Sequence, residues 1–249
     1  MPDLFSGFSP LALALTVLVA GVAGLARGFS GFGGALIFMP AASALVGPSV
    51  AAPVLLMADG VLTVSFLPRA WKLARREDVA LMAAGALIGV PIGALILKHA
   101  DPLLLRWAIS ALAASMLVLL ISGWRYHGTP YAGVTAIVGC VSGIFGGLAQ
   151  MSGPPVVAYW LSSKEGHATV RASIILFFGA TTLFTFLSYW VSGLLTAHSI
   201  VLAAAVAPAY GFGLFAGARA FGIASPDIFR RLCFILIALS VATSLPVWR

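Results

Sequence analysis

Along the chain, long apolar runs alternate with short polar breaks, and Pro, Gly and charged residues mark the boundaries. Five runs fill the first half: about Pro10 to Arg27, Ser30 to Val46, Ser49 to Pro68, Val79 to Leu97 and Leu103 to Ser122. Five more follow: about Tyr131 to Ala149, Gly153 to Ser162, Arg171 to Ser192, Ser199 to Phe221 and Ile228 to Val247. Most approach the ~20 residues that a helix needs to cross a hydrocarbon core of ~30 Å, and their continuity argues against the period-two alternation of a β-barrel. The pattern predicts an all-α polytopic membrane protein. The run from Gly153 has only about ten apolar residues, ~15 Å of helix, and is expected to be broken or re-entrant; its counterpart from Ser30 is a candidate for the same behaviour.

Composition sharpens the class. With 61% hydrophobic and 8% charged residues and a mean hydropathy of +1.08, the chain is far from a soluble domain, whose charged share is about 25%. Its 249 residues leave no room beside the apolar runs for a soluble domain of the usual size. The 27 glycines, spread through apolar runs, point to close helix packing. Fourteen Lys and Arg against seven Asp and Glu give +7, which topology explains better than nucleic acid does, so no nucleic-acid partner is expected. Cys140 and Cys233 lie far apart within apolar runs, without a CxxC or a nearby His; no metal or cofactor is expected. Met1-Pro2-Asp3 lacks a basic n-region, so the first run is expected to stay in the membrane.

The two halves register as copies of one unit. Adding 119 carries Gly24 to Gly143, Gly28 to Gly147, Gly34 to Gly153, Gly47 to Gly166, Gly60 to Gly179, Thr63 to Thr182 and Trp71 to Trp190. Adding 124 carries Gly89 to Gly213, Gly93 to Gly217, Pro102 to Pro226 and Arg106 to Arg230. This predicts a first repeat over 1–123, a connecting loop over 124–130 and a second repeat over 131–249. An odd number of segments per copy makes the repeats inverted, the plan of many secondary transporters. With the N-terminus outside, eleven cations (Arg27, Arg69, Lys72, Arg75, Arg76, Arg125, Lys164, Arg171, Arg219, Arg230, Arg231) fall on the cytoplasmic side and three (Lys98, Arg106, Arg249) outside. Both termini are therefore expected outside.

Chemistry concentrates in two equivalent turns, Gly24-Leu-Ala-Arg27-Gly28-Phe-Ser30-Gly31-Phe-Gly33-Gly34 and Gly143-Ile-Phe-Gly146-Gly147-Leu-Ala-Gln150-Met-Ser152-Gly153-Pro154-Pro155. Each opens a new helix, whose unpaired N–H groups attract anions, and irregular backbone at membrane depth implies a covered or wet site. The plainer reading is close helix packing through small residues. Arg27, opposite Gly146 in the register, offers a fork for two-point contact with an oxyanion, or else a topology signal; Ser30, Gln150 and Ser152 offer neutral donors, or else helix caps. Asp59, opposite Phe178, is the one acid in the middle of an apolar run and is expected to be protonated, to pair with a cation or to carry coupling protons. Arg171 is an interface anchor or part of a gate, and Thr181, Thr182, Thr185 and Ser188 are expected to bond their own backbone.

The pairing of G-F-S-G-F-G-G with G-G-L-A-Q-M-S-G-P-P, the latter followed by apolar residues and Tyr159, resembles the sulfite exporter TauE/SafE family, also called the 4-toluene sulfonate uptake permease family, over essentially the whole chain. The resemblance implies transport of sulfite, sulfonates or related small organic anions across the bacterial inner membrane, without naming the cargo.

A transporter working by alternating access on a small anion, held between the two glycine turns at Arg27, Ser30, Gly33, Gly34, Gln150, Ser152 and Gly153 with Asp59 and Arg171 coupling or gating, is the expected function. An inside-negative potential favours anion exit by about 2.3 kcal/mol per charge per 100 mV, so export needs no partner ion and uptake does. Membrane lipid is the other expected partner, and the oligomeric state stays open, a homo-oligomer included. Two other classes compete. A membrane scaffold subunit predicts no ligand-dependent stabilisation; an intramembrane hydrolase needs a His beside its serine, yet His99, His127, His167 and His198 all fall in connections.

Overall fold

The computed structural model describes residues 9–31, 33–124, 126, 131–160, 166–220 and 226–246, with the side chains of 167 and 226–229 left aside. Among these residues the chain forms eleven helices: α1 (Pro10–Ser30), α2 (Gly34–Val46), α3 (Pro48–Val64), α4 (Leu67–Leu73), α5 (Arg76–His99), α6 (Pro102–Ser122), α7 (Ala132–Ala149), α8 (Gly153–Trp160), α9 (His167–Ser192), α10 (Ala197–Ala220) and α11 (Pro226–Ser244). Each of the ten apolar runs contains a helix. The connecting loop expected over 124–130 lies mostly outside the described residues, as do Lys164, Glu165 and Arg249.

Six helices, α1, α5, α6, α7, α9 and α10, are long and apolar enough to cross a membrane, or seven spans if the bent pair α3–α4 counts as one. The run expected to continue from Ser49 to Pro68 breaks after Val64, and α4 leaves at 61° to α3. Pro68 explains the break: it lacks the N–H that would bond back into α3, whereas a proline suits the first turn of a new helix. At the other end of the scale, α2 has 13 residues and α8 has 8, about 20 and 12 Å of helix, both too short for a ~30 Å core.

The surface is apolar where a soluble protein would be polar. Leu87 and Ile88 on α5, Leu183 and Leu187 on α9 and Phe212 and Phe215 on α10 are all more than half exposed, a distribution that lipid rather than water satisfies. Small residues turn inward instead.

The helices gather into two compact units, one of residues 1–59, 100–121 and 193–249 and one of residues 60–99 and 122–192. In the first, α1 packs along α10 so closely that a Cβ on Gly24 or Gly28 would lie 2.1 Å from the Tyr210 carbonyl oxygen or 2.0 Å from that of Leu214. Reciprocally, a Cβ on Gly213 or Gly217 would meet the Gly21 or Leu25 carbonyl oxygen at 2.1 Å. In the second, α7 packs along α5 with the same economy. A Cβ on Gly143 would lie 2.8 Å from Ala86 Cα, one on Gly147 2.2 Å from Val90 O, one on Gly89 2.0 Å from Cys140 O and one on Gly93 2.2 Å from Ile144 O. Adding 119 to the α1 residues and subtracting 124 from the α10 residues converts each of the four contacts of the first unit into one of the second. Only glycine permits such backbone approach, which replaces the hydrophobic drive that helices lack in lipid with dispersion contact.

Candidate functional site

In the first unit, α1 carries Arg27 in its last turn and ends at Gly31, whose φ of 83° is the left-handed conformation that glycine adopts without strain. Ser30 closes that end: its hydroxyl donates to Ala26 O at 2.7 Å and accepts from Gly33 N at 3.0 Å. The chain then turns into α2, whose N-cap Gly33 makes no side-chain cap, so the first amides, at Gly34, Ala35 and Leu36, carry the uncompensated donors of a helix start. Ser30 is thus a capping residue of the turn, and Gly33 and Gly34 are buried within it.

Arg27 and Asp59, proposed separately from the sequence, meet. Arg27 Nε donates to Asp59 Oδ1 at 2.9 Å and Nη2 to Oδ2 at 3.1 Å, a two-point contact between α1 and α3. Tyr210 on α10 donates its hydroxyl to Asp59 Oδ1 at 2.8 Å. The pair is largely shielded, with side-chain exposures of 15% for Arg27 and 25% for Asp59. Of the readings open to Asp59, pairing with a cation is the state described. The start of α2 lies against the same cluster: a Cβ on Gly34 would sit 2.9 Å from Tyr210 Oη and 3.0 Å from Arg27 Cβ. A guanidinium, a phenol and a helix start therefore converge in one unit, an arrangement that favours negative charge.

Tyr210 went unmarked in the sequence reading. The register that set Arg27 against Gly146 and Asp59 against Phe178 sets Tyr210 against Ala86, and all three departures from symmetry fall on one cluster. That coincidence was the available signal.

The second unit builds its turn from neutral groups. Here α7 ends at Gln150, the one described non-glycine residue with a positive φ, at 57°, in register with Gly31. Gln150 Nε2 reaches Tyr189 Oη on α9 at 3.3 Å, and that hydroxyl donates to Gly147 O at 2.8 Å. Ser152 is buried ahead of α8, and a Cβ on Gly146 would lie 3.4 Å from Ser152 Cβ. The start of α8 at Gly153 offers fewer donors than that of α2, because Pro154 and Pro155 have no N–H. Tyr159, near the end of α8, is buried and shares a 2.5 Å hydrogen bond with Thr135 of α7. Arg171 stands exposed on α9, two positions before Ser173, whose hydroxyl accepts from Arg75 N at 3.1 Å. Thr181 and Thr185 bond Phe178 O and Thr181 O within their own helix. Among the described residues no group of three or more His, Cys, Asp or Glu could hold a metal.

The family model for Sulfite exporter TauE/SafE matches residues 16–244, which takes in both turns, Asp59 and Tyr210. A protein of Cupriavidus necator named probable sulfite/organosulfonate exporter TauE is 29% identical over 183 residues, 68% of each chain. No solved structure matches the chain.

Proposed function

The chain belongs to the sulfite exporter TauE/SafE family, and from that premise we propose that this membrane transporter carries a small oxyanion, such as sulfite or a sulfonate, across the bacterial inner membrane, binding it at Arg27 and the start of α2. The observation that carries the reading is the two-point grip of Arg27 on a carboxylate beside an uncapped helix start. A sulfonate or sulfite offers two oxygens to the same fork. Ser30 and Gly33 hold that turn in shape, and Gly34 lets α2 approach Tyr210 and Arg27. On its own turn the second unit presents Gln150, Ser152 and Gly153 as a set of neutral anion-binding donors, and exposed Arg171 is a cytoplasmic gate or anchor.

The scaffold of this reading is a pair of inverted repeats working by alternating access, with both termini outside. Its support is the four-to-four correspondence of glycine contacts under the 119 and 124 offsets together with the eleven-to-three division of cations. Export is the proposed direction, in keeping with the name of the Cupriavidus relative.

The test is a thermal-shift screen of the purified chain against sulfite, sulfate, thiosulfate, methanesulfonate and short carboxylates. An anion at 100 times its Kd stabilises by about 2.7 kcal/mol. Arg27→Lys keeps the charge but loses the fork, and the shift shrinks; Arg27→Ala removes it. Unchanged binding in both variants refutes the site, and no shift with any anion leaves a scaffold subunit as the better reading.

A further inference from the structure

The Arg27 fork already holds an anion of the protein's own. Asp59 Oδ1 and Oδ2 lie 2.9 and 3.1 Å from Arg27 Nε and Nη2, the contacts that two oxygens of a sulfonate would make. Cargo and Asp59 therefore compete for one guanidinium. Were both bound as anions, a second negative charge would enter the shielded cluster with no positive charge added, at the cost that burying an uncompensated charge carries.

Given the placement of cargo at Arg27, we propose that a bound monoanion displaces Asp59 from Arg27 and that Asp59 takes up one proton as it leaves, so that anion and proton are bound and carried together. The step balances. The Asp59 carboxylate gains a proton from water on the side of entry, its ion pair with Arg27 is exchanged for one between Arg27 and the anion, and the net charge of the cluster is the same before and after. Among the described contacts, Arg27 from α1 and Tyr210 from α10 reach the carboxylate directly, and the start of α2 at Gly34 lies against Tyr210 Oη and Arg27 Cβ. The Tyr210 hydroxyl suits both states, since it donates to the carboxylate and can accept from the carboxylic acid. Transport of a monoanion is then electroneutral, its direction set by the anion and proton gradients and indifferent to membrane potential.

The experiment uses the full chain in proteoliposomes with methanesulfonate, whose own charge is constant through the neutral range, an internal pH dye and a flux assay. One proton should accompany each anion. Flux should follow a pH gradient and ignore a potassium–valinomycin potential, and affinity should rise by up to about tenfold per pH unit on acidification. Asp59→Asn should still carry methanesulfonate, now without protons, with an affinity independent of pH and a flux that responds to potential. Asp59→Glu should restore the coupling, a result that a purely structural ion pair does not give. Should Asp59→Asn not fold, the wild-type stoichiometry and Asp59→Glu decide. Wild-type flux that moves charge but no protons, or proton coupling that persists in Asp59→Asn, overturns the inference while leaving the anion carrier intact. Absence of both binding and flux with methanesulfonate and sulfite overturns the carrier reading, and the inference with it.

Discussion

Removing one partner of the Arg27–Asp59 pair should be far more damaging than removing both in proportion. Exposed ion pairs contribute about 0.2–1 kcal/mol, whereas breaking a buried one costs about 3–5 kcal/mol because a charge is stranded. With exposures of 15% and 25%, the pair lies between these limits, so Arg27→Gln or Asp59→Asn should each cost about 2 kcal/mol. In Arg27→Gln the carboxylate keeps the Tyr210 hydroxyl but loses this cation; in Asp59→Asn the guanidinium keeps its charge but loses this anion. The double variant strands nothing and should cost about as much as either single change, giving a coupling near 2 kcal/mol. For a chain of this size that is a melting shift of about 4–8 °C for each single variant and a similar shift for the double. Intrinsic-fluorescence melting of the purified protein, without added anions, provides the four corners of the cycle. Single effects that add within about 0.5 kcal/mol, with the double variant losing twice as much, would refute the pairing.

The glycine seams give a graded set. Gly28→Ala and Gly147→Ala place a methyl 2.0 and 2.2 Å from carbonyl oxygens and should each destabilise by about 3 kcal/mol or more, whereas Gly211→Ala, on α10 with nothing within 4 Å, should stabilise by about 0.5–1 kcal/mol. Equal melting temperatures for the three would contradict the helix packing. Tyr189→Phe leaves the Gly147 carbonyl without the 2.8 Å bond from Tyr189 and should lower stability by about 1–3 kcal/mol; a neutral outcome in the same melts would show that bond to be dispensable. Single cysteines placed at Lys72 and Tyr126, in a chain free of Cys140 and Cys233, should both label from the cytoplasmic side, and labelling from opposite faces would refute the five-plus-five topology.

The sequence alone determined where helices lie, because in lipid a segment must satisfy its own backbone, and unbroken apolar runs of spanning length have few alternatives to a helix. Pro10, Pro102 and the Gly31–Gly34 stretch marked helix starts for local reasons that no distant residue could alter. The shortness of α8 was equally legible, being a matter of residue count. The family resemblance, too, rested on local strings. What the sequence left undecided depends on which helices meet. Asp59 is 32 positions from Arg27, and Tyr210 is 151 positions from Asp59, so neither the ion pair nor its third member could be read from spacing. Taken singly, Arg27 was an anion fork or an edge marker and Asp59 a buried acid of uncertain state; placed together, each accounts for the other's charge. The compact units likewise cut across the halves of the chain, because glycines on α1 found their complementary carbonyls on α10, and those on α7 found theirs on α5. Such surface matching exists only once helices are packed. The break at Pro68 lay between these cases. Its residue was visible as a boundary, but whether a proline ends a helix or sits within it, as Pro53 does in α3, depends on neighbours that can satisfy the backbone groups it frees.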